Sequence, residues 1–507
     1  MNSRQGNVVL PRRPRPFTPS QPSPSNPLRD ETPSGNNANR PAAANVAEAA
    51  WEIVNTNWMR RAGFLLTLAF LFLRITALHE LAATKLGFNT YILFLVGPPA
   101  IVCLLLSGGV QRMFDSRTTK YWLAFLVLLI VAVPFSSWRG GSASLVSTYI
   151  RTEFLVLPLV VGLSWTFQEL WKIVVTLAVA GGISSILGTI YASELAFGGG
   201  RTEVSFGTMS DPNDFAAHLI FILPFMALFV LSKRNFGLRI GMAVLMVLAL
   251  YRILASGSRG ALIAIIVTTI FAFFRSKMSQ KIILLVGGGV LVTLMLTMLP
   301  GQVSDRLMSL FADSEEERTL SSNAATSRES RTYLLMRSLT LTMEHPIFGV
   351  GPGEFANYES NDMMRRNGVK GAWHDTHNSY TQISSEVGIV AAIVYLSAIF
   401  STYFLLRRIY KLATQFPPGV IRDRAMLASS CLMVSLVGFG SAAFFLSLAY
   451  RFYFPALTAI AVVLYRSLEH ESRKLMQKAR DAAAAASTQT PQLPAIASMP
   501  PLRPRLR

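Results

Sequence analysis

Long apolar stretches alternate with short polar segments along most of this chain. About twelve of these stretches are apolar over about 17 residues or more, as a helix crossing a bilayer core about 30 Å thick requires. They cover residues 62–79, 89–108, 121–137, 150–166, 171–193, 214–232, 238–254, 259–275, 282–299, 380–406, 427–446 and 451–467. The pattern predicts an all-α, polytopic membrane protein with about twelve transmembrane helices.

The polar segments divide the chain into five predicted regions. Residues 1–58, rich in Pro, Asn, Ala and Arg, are typical of a disordered tail. Transmembrane helices 1–9 lie in 59–299 and helices 10–12 in 380–467, on either side of one large polar loop over 300–379. Residues 468–507 form a second polar tail.

The distribution of charged residues predicts which side of the membrane each loop faces. Only 15% of residues are charged, yet the net charge is +19. Lys and Arg recur in alternate loops, which the positive-inside rule places in the cytoplasm together with both tails. The loop over 300–379 then faces outward. The basic charge is therefore explained by topology and attraction to anionic membrane lipids, and no nucleic-acid partner is expected. Cys103 and Cys431 lie inside apolar stretches and are expected to be buried, without a disulfide or a metal.

A polar segment over 373–380 closes the large loop and leads into the tenth predicted helix. It carries His374, His377 and Asn378 at the mouth of that helix. An imidazole with an ordinary pKa near 6.5 is suited to proton transfer at neutral pH. A histidine that merely anchors a helix at the bilayer interface is the alternative, and the supporting polar residues nearby favour a chemical role.

Two arginines follow glycine or serine residues that suit an anion site. The glycine run 198–200 precedes Arg201, and successive glycines let backbone N–H groups approach an anion, although most such runs are only turns. Ser258 and Arg259 open the eighth predicted helix, where N–H groups, the helix dipole and a guanidinium converge in a way that suits phosphate or diphosphate. Interfacial snorkelling of Arg259 is the alternative.

Other polar positions lie at or within the predicted helices. Asp211 and Pro212 form a helix-start pattern that leaves Asn213 as a candidate ligand contact. Arg151, at the outer start of the fourth helix, is placed to join an anion site. Glu386, inside the tenth helix, is expected to form a structural salt bridge with an intramembrane arginine. No Asp-x-Asp pair or His/Cys cluster suggests a metal, so neither a metal nor a cofactor is expected.

Four short motifs occur in order: Asp211-Pro212-Asn213, Ser258-Arg259-Gly260, the glycine-rich turn over 349–353, and His377-Asn378. Together they resemble the bacterial O-antigen ligase and polymerase family of integral-membrane glycosyltransferases, over roughly residues 60–465. The resemblance implies a GT-C-like, all-α fold in the bacterial inner membrane. It also implies a polyprenyl-diphosphate-linked glycan donor, an acceptor hydroxyl on a glycan, lipid or protein, and no metal.

The resemblance also assigns roles to single residues. His377 would be the base that activates the acceptor hydroxyl, with His374 the less favoured histidine. Arg259 would bind the donor diphosphate, and Arg201 would be the second diphosphate-binding arginine. A single displacement at the anomeric carbon predicts inversion of configuration.

Two questions remain open from the sequence. A ligase and a polymerase of surface polysaccharide share this chemistry, so the motifs do not separate them. A lipid-linked glycan transporter (flippase) is the alternative from another class. Such a transporter is expected to carry charged residues near the midplane of several helices, whereas this chain concentrates its polar residues in one large loop.

Overall fold

The computed structural model describes residues 40–194, 200–232, 235–276, 278–308, 322–368, 371 and 373–488. The chain divides into two compact units, Met1–Glu52 and Ile53–Arg507, and the second contains all residues of the candidate site. The described part is mostly helical, as predicted. Its one sheet pairs two antiparallel strands, β1 (Ala192–Glu194) and β2 (Thr202–Val204).

The α-helices are numbered here in chain order. They are α1 (Arg40–Thr56), α2 (Trp58–Thr76), α3 (Leu78–Leu86), α4 (Ile92–Leu106), α5 (Arg117–Ala132), α6 (Arg139–Thr148), α7 (Val156–Leu163), α8 (Phe167–Ile190), α9 (Pro212–Leu231), α10 (Phe236–Ala255), α11 (Arg259–Arg275), α12 (Met278–Ile282), α13 (Gly288–Met298), α14 (Gly301–Met308), α15 (Ser322–Glu344), α16 (Phe355–Asn367), α17 (Ser379–Val387), α18 (Ile389–Thr414), α19 (Val420–Ala443) and α20 (Tyr453–Thr488).

Several helical segments are long and apolar enough to cross a membrane. Within the described ranges there are seven: Arg117–Phe135, Arg139–Leu163, Phe167–Ile190, Pro212–Leu231, Phe236–Ala255, Ile389–Thr414 and Val420–Ala443. An eighth is obtained if α2 and α3, which meet at a bend of 64°, form one broken span. These segments confirm the prediction of a multi-pass membrane protein, whereas the number of twelve transmembrane helices stays a prediction.

The predicted helix over 380–406 is broken, so the prediction of one continuous helix is wrong. Gly388 separates α17 from α18 and has φ 93°. A Cβ atom at Gly388 would lie 2.2 Å from the carbonyl oxygen of Ile347. The backbone N–H of Ile389 donates to the carbonyl of Pro346 at 2.8 Å. Pro346 and Ile347 of the large loop therefore pack against the backbone at this break, where only glycine leaves room.

Both predicted tails contain helix next to the membrane segments. Residues 40–56, placed in a disordered tail by the sequence analysis, form α1, while residues 1–39 lie outside the described part. The last helix, α20, continues through the alanine run 482–486 to Thr488. Alanine has the highest intrinsic helix propensity, which explains why these polar segments continue as helix.

Two helices of the large loop are joined by an ion-pair network. Arg337 on α15 contacts Glu359 on α16 at 2.5 Å and Asp362 on α16 at 2.5 Å. Tyr333 donates to Glu359 at 2.5 Å. The hydroxyls of Thr342 and Ser384 lie 2.8 Å apart and connect α15 to α17. The ion pairs hold α15 against α16, and the Thr342–Ser384 contact holds α15 against α17, the helix that follows His377.

The glycine-rich turn over 349–353 packs against the end of α17. Gly349 has φ 65°, and a Cβ atom there would lie 2.2 Å from the carbonyl carbon of Glu386. Gly351 donates its N–H to the Glu386 carbonyl at 3.0 Å, and Val350 donates to Ser385 at 2.9 Å. The turn therefore needs glycine for both its conformation and its closeness to α17.

Replacing Gly349 with alanine is expected to lower the amount of folded protein in the membrane. Left-handed backbone at a non-glycine residue costs about 1–3 kcal/mol, and the contact with the Glu386 backbone adds overpacking of about the same size. Gly368→Ala is the matched control, because Gly368 has φ 68° with nothing within 4 Å of the added Cβ. Thermal unfolding followed by size-exclusion chromatography should show a larger loss for Gly349→Ala. Equal losses would contradict the proposed contact.

Candidate active site

His377 lies at a sharp backbone corner directly before α17. Its φ is 49°, which is uncommon for a residue other than glycine. The N–H of His377 donates to the Ser447 hydroxyl at 2.9 Å, and the Thr376 hydroxyl lies 3.1 Å from the same oxygen. The imidazole is therefore presented from a fixed non-helical corner. Positive φ at a histidine is the kind of backbone strain that clusters at functional sites.

Asn378 caps the helix that begins beyond this corner. Its side-chain oxygen accepts hydrogen bonds from the N–H groups of Tyr380, at 2.9 Å, and Thr381, at 3.1 Å. Asn378 is only 3% exposed. The candidate ligand contact predicted from the sequence is therefore a helix cap in the structure, and it acts on His377 by fixing the start of α17.

The connection between α19 and α20, residues 444–452, holds the histidine corner and is here called the clamp segment. Besides Ser447, it offers the Leu446 carbonyl to the Ser379 hydroxyl at 2.6 Å, and the Leu448 N–H donates to that hydroxyl at 2.8 Å. The sequence analysis missed this role, because residues 427–446 and 451–467 were assigned to transmembrane helices. Its signals in the sequence were Ser447, a polar residue between the two apolar stretches, and Arg451, the first residue of the second stretch.

Arg201 joins the segment after the glycine run to the start of α11. Its Nε donates to the Ser256 carbonyl at 2.8 Å, and its Nη2 donates to the Asn213 side-chain oxygen at 3.2 Å. The Asn213 amide in turn donates to Asp211 at 3.0 Å. Asn213 therefore positions Arg201. Gly257, with φ 59°, lies under the arginine stem, since a Cβ atom there would lie 3.0 Å from Arg201 Cγ. Of the glycine run, Gly200 is described and 198–199 lie outside the described residues.

Arg259 is the first residue of α11, as predicted. Ser258 caps this helix by accepting a hydrogen bond from the Ala261 N–H at 3.3 Å, so its candidate role is structural. Gly260 packs against the clamp segment, where its Cβ would lie 2.8 Å from Cβ of Phe445. The beginning of α11 thus lies beside both Arg201 and the segment that holds His377.

Arg331 on α15 completes this group, and sequence reasoning missed it. Burial lowers the pKa of Arg331, the positive charge of Arg259 lowers it further, and Asp211 opposes both. Burial also lowers the pKa of Arg201, with Asp211 raising it and Arg331 lowering it. We call Arg201, Arg259 and Arg331 the arginine cluster. In the sequence, Arg331 is one of many charges in the large loop over 300–379.

The surroundings of His377 favour its neutral form. Burial is the largest cause that lowers the pKa of His377 below 6.5, and Arg331 and His374 lower it further. Asp375 and Asp211 oppose this shift. A neutral imidazole at pH 7 can accept a proton, and its charged neighbours include a member of the arginine cluster. His374 is exposed and is one of the groups that lower the pKa of His377.

Two candidate residues lie away from this group. Arg151 is exposed and donates to the Ser147 carbonyl at 3.2 Å, within its own helical segment. Glu386 accepts hydrogen bonds from the Tyr450 hydroxyl at 2.6 Å and the Gly353 N–H at 2.8 Å. Burial raises the pKa of Glu386 to about 8. The predicted salt bridge to an arginine is wrong, because this buried carboxyl is satisfied by neutral donors of the clamp segment and the glycine-rich turn.

Part of the chain is similar to a known protein family. Residues 244–396 match the family model described as O-antigen ligase. The matched range contains Arg259, Arg331 and His377, whereas Arg201 and the clamp segment lie outside it. No curated protein was found to match the chain. This match over residues 244–396 supports the O-antigen ligase and polymerase family for that part of the chain.

Proposed function

We propose that this protein is a metal-independent, inverting glycosyltransferase of the bacterial inner membrane. It transfers a polyprenyl-diphosphate-linked glycan to an acceptor hydroxyl on the periplasmic side, in surface polysaccharide biosynthesis. The observation that carries the proposal is geometric: the clamp segment holds the His377 backbone and also packs against the start of α11, where Arg259 and Arg201 lie. The matched O-antigen ligase domain supports the same reaction class and favours it over a flippase.

The arginine cluster suits the diphosphate of the donor. Arg201, Arg259 and Arg331 bring three positive charges, whereas Asp211 is the acidic group that acts on the pKa of both Arg201 and Arg331. Arg259 also lies at the N-terminal end of α11, where the helix dipole favours an anion. Fixed guanidinium groups stabilise the charge that develops on a leaving diphosphate oxygen, so they supply the electrostatic part of catalysis.

His377 provides the proton transfer. The acceptor O–H gives its proton to the imidazole while its oxygen forms a bond to the anomeric carbon of the donor. The bond from that carbon to the diphosphate oxygen breaks, and the electron pair leaves with the diphosphate. This single displacement inverts the configuration at the anomeric carbon. The donor is carried by a lipid because nucleotide sugars are confined to the cytoplasm.

The glycan of cells lacking this protein provides the main test. Single repeats left on the lipid carrier would identify a polymerase, and long chains on the carrier beside a bare acceptor would identify a ligase. Unchanged surface glycan, or repeats trapped on the cytoplasmic face, would overturn the proposal, the latter in favour of a transporter. Reporter fusions at each end of the chain test whether both termini are cytoplasmic, as the charge pattern predicts.

Replacing Arg331 with glutamine is expected to move the acidic limb of the pH–rate profile to higher pH. Transfer requires neutral His377, which forms as the pH rises through its pKa. Arg331 lowers that pKa, so its removal raises the pKa and less base is present at pH 6. Purified protein can be assayed with lipid-linked donor and acceptor extracted from cells that lack it. Arg365→Gln, at an exposed position on α16, should leave the limb unchanged. A shift to lower pH would contradict the interaction.

A further inference from the structure

An open cavity of about 710 Å³ lies beside the candidate active site and is not used by the mechanism above. Its wall comes from α3, the connection to α4, the turn that follows α6, and the Gly207–Thr208 segment. We call it the side cavity. Its volume is within the range of about 300–1,000 Å³ that is usual for small-molecule sites.

The charged groups of the side cavity are balanced. Arg74 pairs with Glu153 and lies 3.6 Å from Glu80, and Arg451 lies 3.6 Å from Glu153. Two guanidinium groups thus face two carboxylates. The arginine cluster, by contrast, has an excess of positive charge. A balanced set of donors and acceptors suits hydroxyl groups, each of which both donates and accepts, and does not select a diphosphate.

Two buried polar atoms on the cavity wall lack a hydrogen bond. Arg74 Nε and Thr90 Oγ1 have no partner among the described residues, and both residues line the side cavity. Arg74 is only 7% exposed. A buried polar atom without a hydrogen-bond partner is unfavourable. A ligand hydroxyl could satisfy both atoms, because Arg74 Nε donates and the Thr90 hydroxyl both donates and accepts.

The outer part of the cavity is apolar and aromatic. Phe88, Tyr91 and Phe94 line it, and these side chains are 63%, 61% and 51% exposed. Exposed aromatic residues beside membrane helices are typical of the bilayer interface. The cavity therefore combines a polar floor with an apolar rim. This arrangement fits an amphiphile whose polar headgroup enters while its hydrocarbon chain stays in the lipid.

The inner part of the cavity leads toward the candidate active site. A small adjoining pocket shares Arg74, Thr208 and Arg451 with it and is also lined by Asp214. Asp214 acts on the pKa of the Arg451 guanidinium. It directly follows Asn213, which accepts the hydrogen bond from Arg201. A headgroup in the side cavity thus lies next to the element that positions a proposed donor-binding arginine.

We propose that the side cavity binds the saccharide headgroup of a lipid-anchored acceptor and directs its hydroxyl to His377. This inference rests on the proposed function for the identity of the reaction. The balanced polar floor, the two unpartnered donors and the aromatic rim define the ligand as a glycolipid. The cavity is separate from the arginine cluster, so donor and acceptor enter by different routes.

Binding of an alkyl glycoside tests the cavity directly. The full chain in lipid nanodiscs is titrated with radiolabelled dodecyl β-maltoside below its critical micelle concentration. Ala83→Trp should fill the cavity, which Ala83 lines, and weaken saturable binding by about tenfold or more. Thr90→Val should weaken it severalfold. Thr293→Val, at an exposed position on α13, is the matched control and should bind normally.

The competing ligand chemistry is tested in the same assay. Dodecyl phosphate should displace the glycoside poorly, since the floor is charge-balanced. Saturable glycoside binding that survives Ala83→Trp would overturn the proposal, and so would stronger binding of dodecyl phosphate. Each variant is first required to elute as a single folded species, and Thr90→Val provides a small substitution if the tryptophan variant does not fold.

A transfer assay with extracted donor and acceptor shows whether the side cavity binds the acceptor lipid or the lipid-linked donor. Ala83→Trp should raise KM for the acceptor lipid and leave KM for the donor unchanged. A rise only for the donor would place the donor glycan in the cavity and overturn the acceptor assignment. If the wild-type protein binds the glycoside but transfers no glycan from extracted donor to extracted acceptor, the proposed function fails while glycoside binding by the side cavity stands.

Discussion

Replacing His377 with asparagine is expected to abolish measurable glycan transfer while the protein stays folded. Loss of a general base lowers rates by about 10²–10⁴-fold, and an asparagine cannot take the acceptor proton. Asparagine is also tolerated in the left-handed conformation that His377 adopts at φ 49°. The N–H that donates to Ser447 is retained as well. Transfer is measured as restoration of surface glycan in cells lacking the protein, at equal membrane abundance.

Two further variants make this prediction specific to the imidazole. His377→Ala should lose transfer to the same extent, with a small additional loss of stability from alanine at positive φ. His374→Ala should keep most activity, because His374 is exposed and is only one of the groups that lower the pKa of His377. Normal transfer by His377→Asn would overturn the base assignment. Loss of transfer in His374→Ala alone would move the base to the other histidine.

The sequence predicted the main parts of the site because each leaves a local signal. Ser258 and Arg259 form a helix start, and His377-Asn378 precede another. The structure confirms both helix starts. Arg201 was predicted from its glycine context, and the structure brings it to the start of α11 through the Ser256 carbonyl. These are local patterns of backbone and capping, which single-sequence reasoning can recognise.

Other features depend on contacts distant in sequence, and they could not be predicted. Arg331 is distinguished from other loop arginines only by the fold of α15 toward Arg259 and His377. Ser447 acts through a hydrogen bond to a residue 70 positions away. Glu386 appeared to be an intramembrane charge in need of an arginine, but Gly388 ends its helix, and Tyr450 and Gly353 satisfy its carboxyl.

The side cavity also depends on contacts between residues that are distant in sequence, so it could not be predicted from the sequence. Arg74 is a charge inside the apolar stretch 62–79, and its partner Glu153 is 79 residues away. Arg451 also reaches Glu153, from the clamp segment. The clamp segment therefore contacts both the histidine corner and the floor of the side cavity.

Replacing Arg259 is expected to impair use of the donor, with lysine and alanine giving graded effects. Removing one fixed donor that stabilises a developing oxyanion costs about 10²–10³-fold in kcat, and Arg259→Ala should fall in this range. Arg259→Lys keeps the charge but loses the planar pair of N–H donors that matches phosphate oxygens, so it should retain only part of the activity.

Arg275→Lys, at the opposite end of α11 and stacked on Tyr410 at 4.6 Å, is the matched control and should transfer normally. Donor and acceptor KM values and kcat are measured with extracted lipid-linked glycan. Unchanged donor kinetics in both Arg259 variants would remove the diphosphate assignment, whereas equal loss in Arg259→Lys and Arg275→Lys would indicate a general effect on α11. A graded loss confined to Arg259 is the result that a diphosphate held at the start of this helix requires.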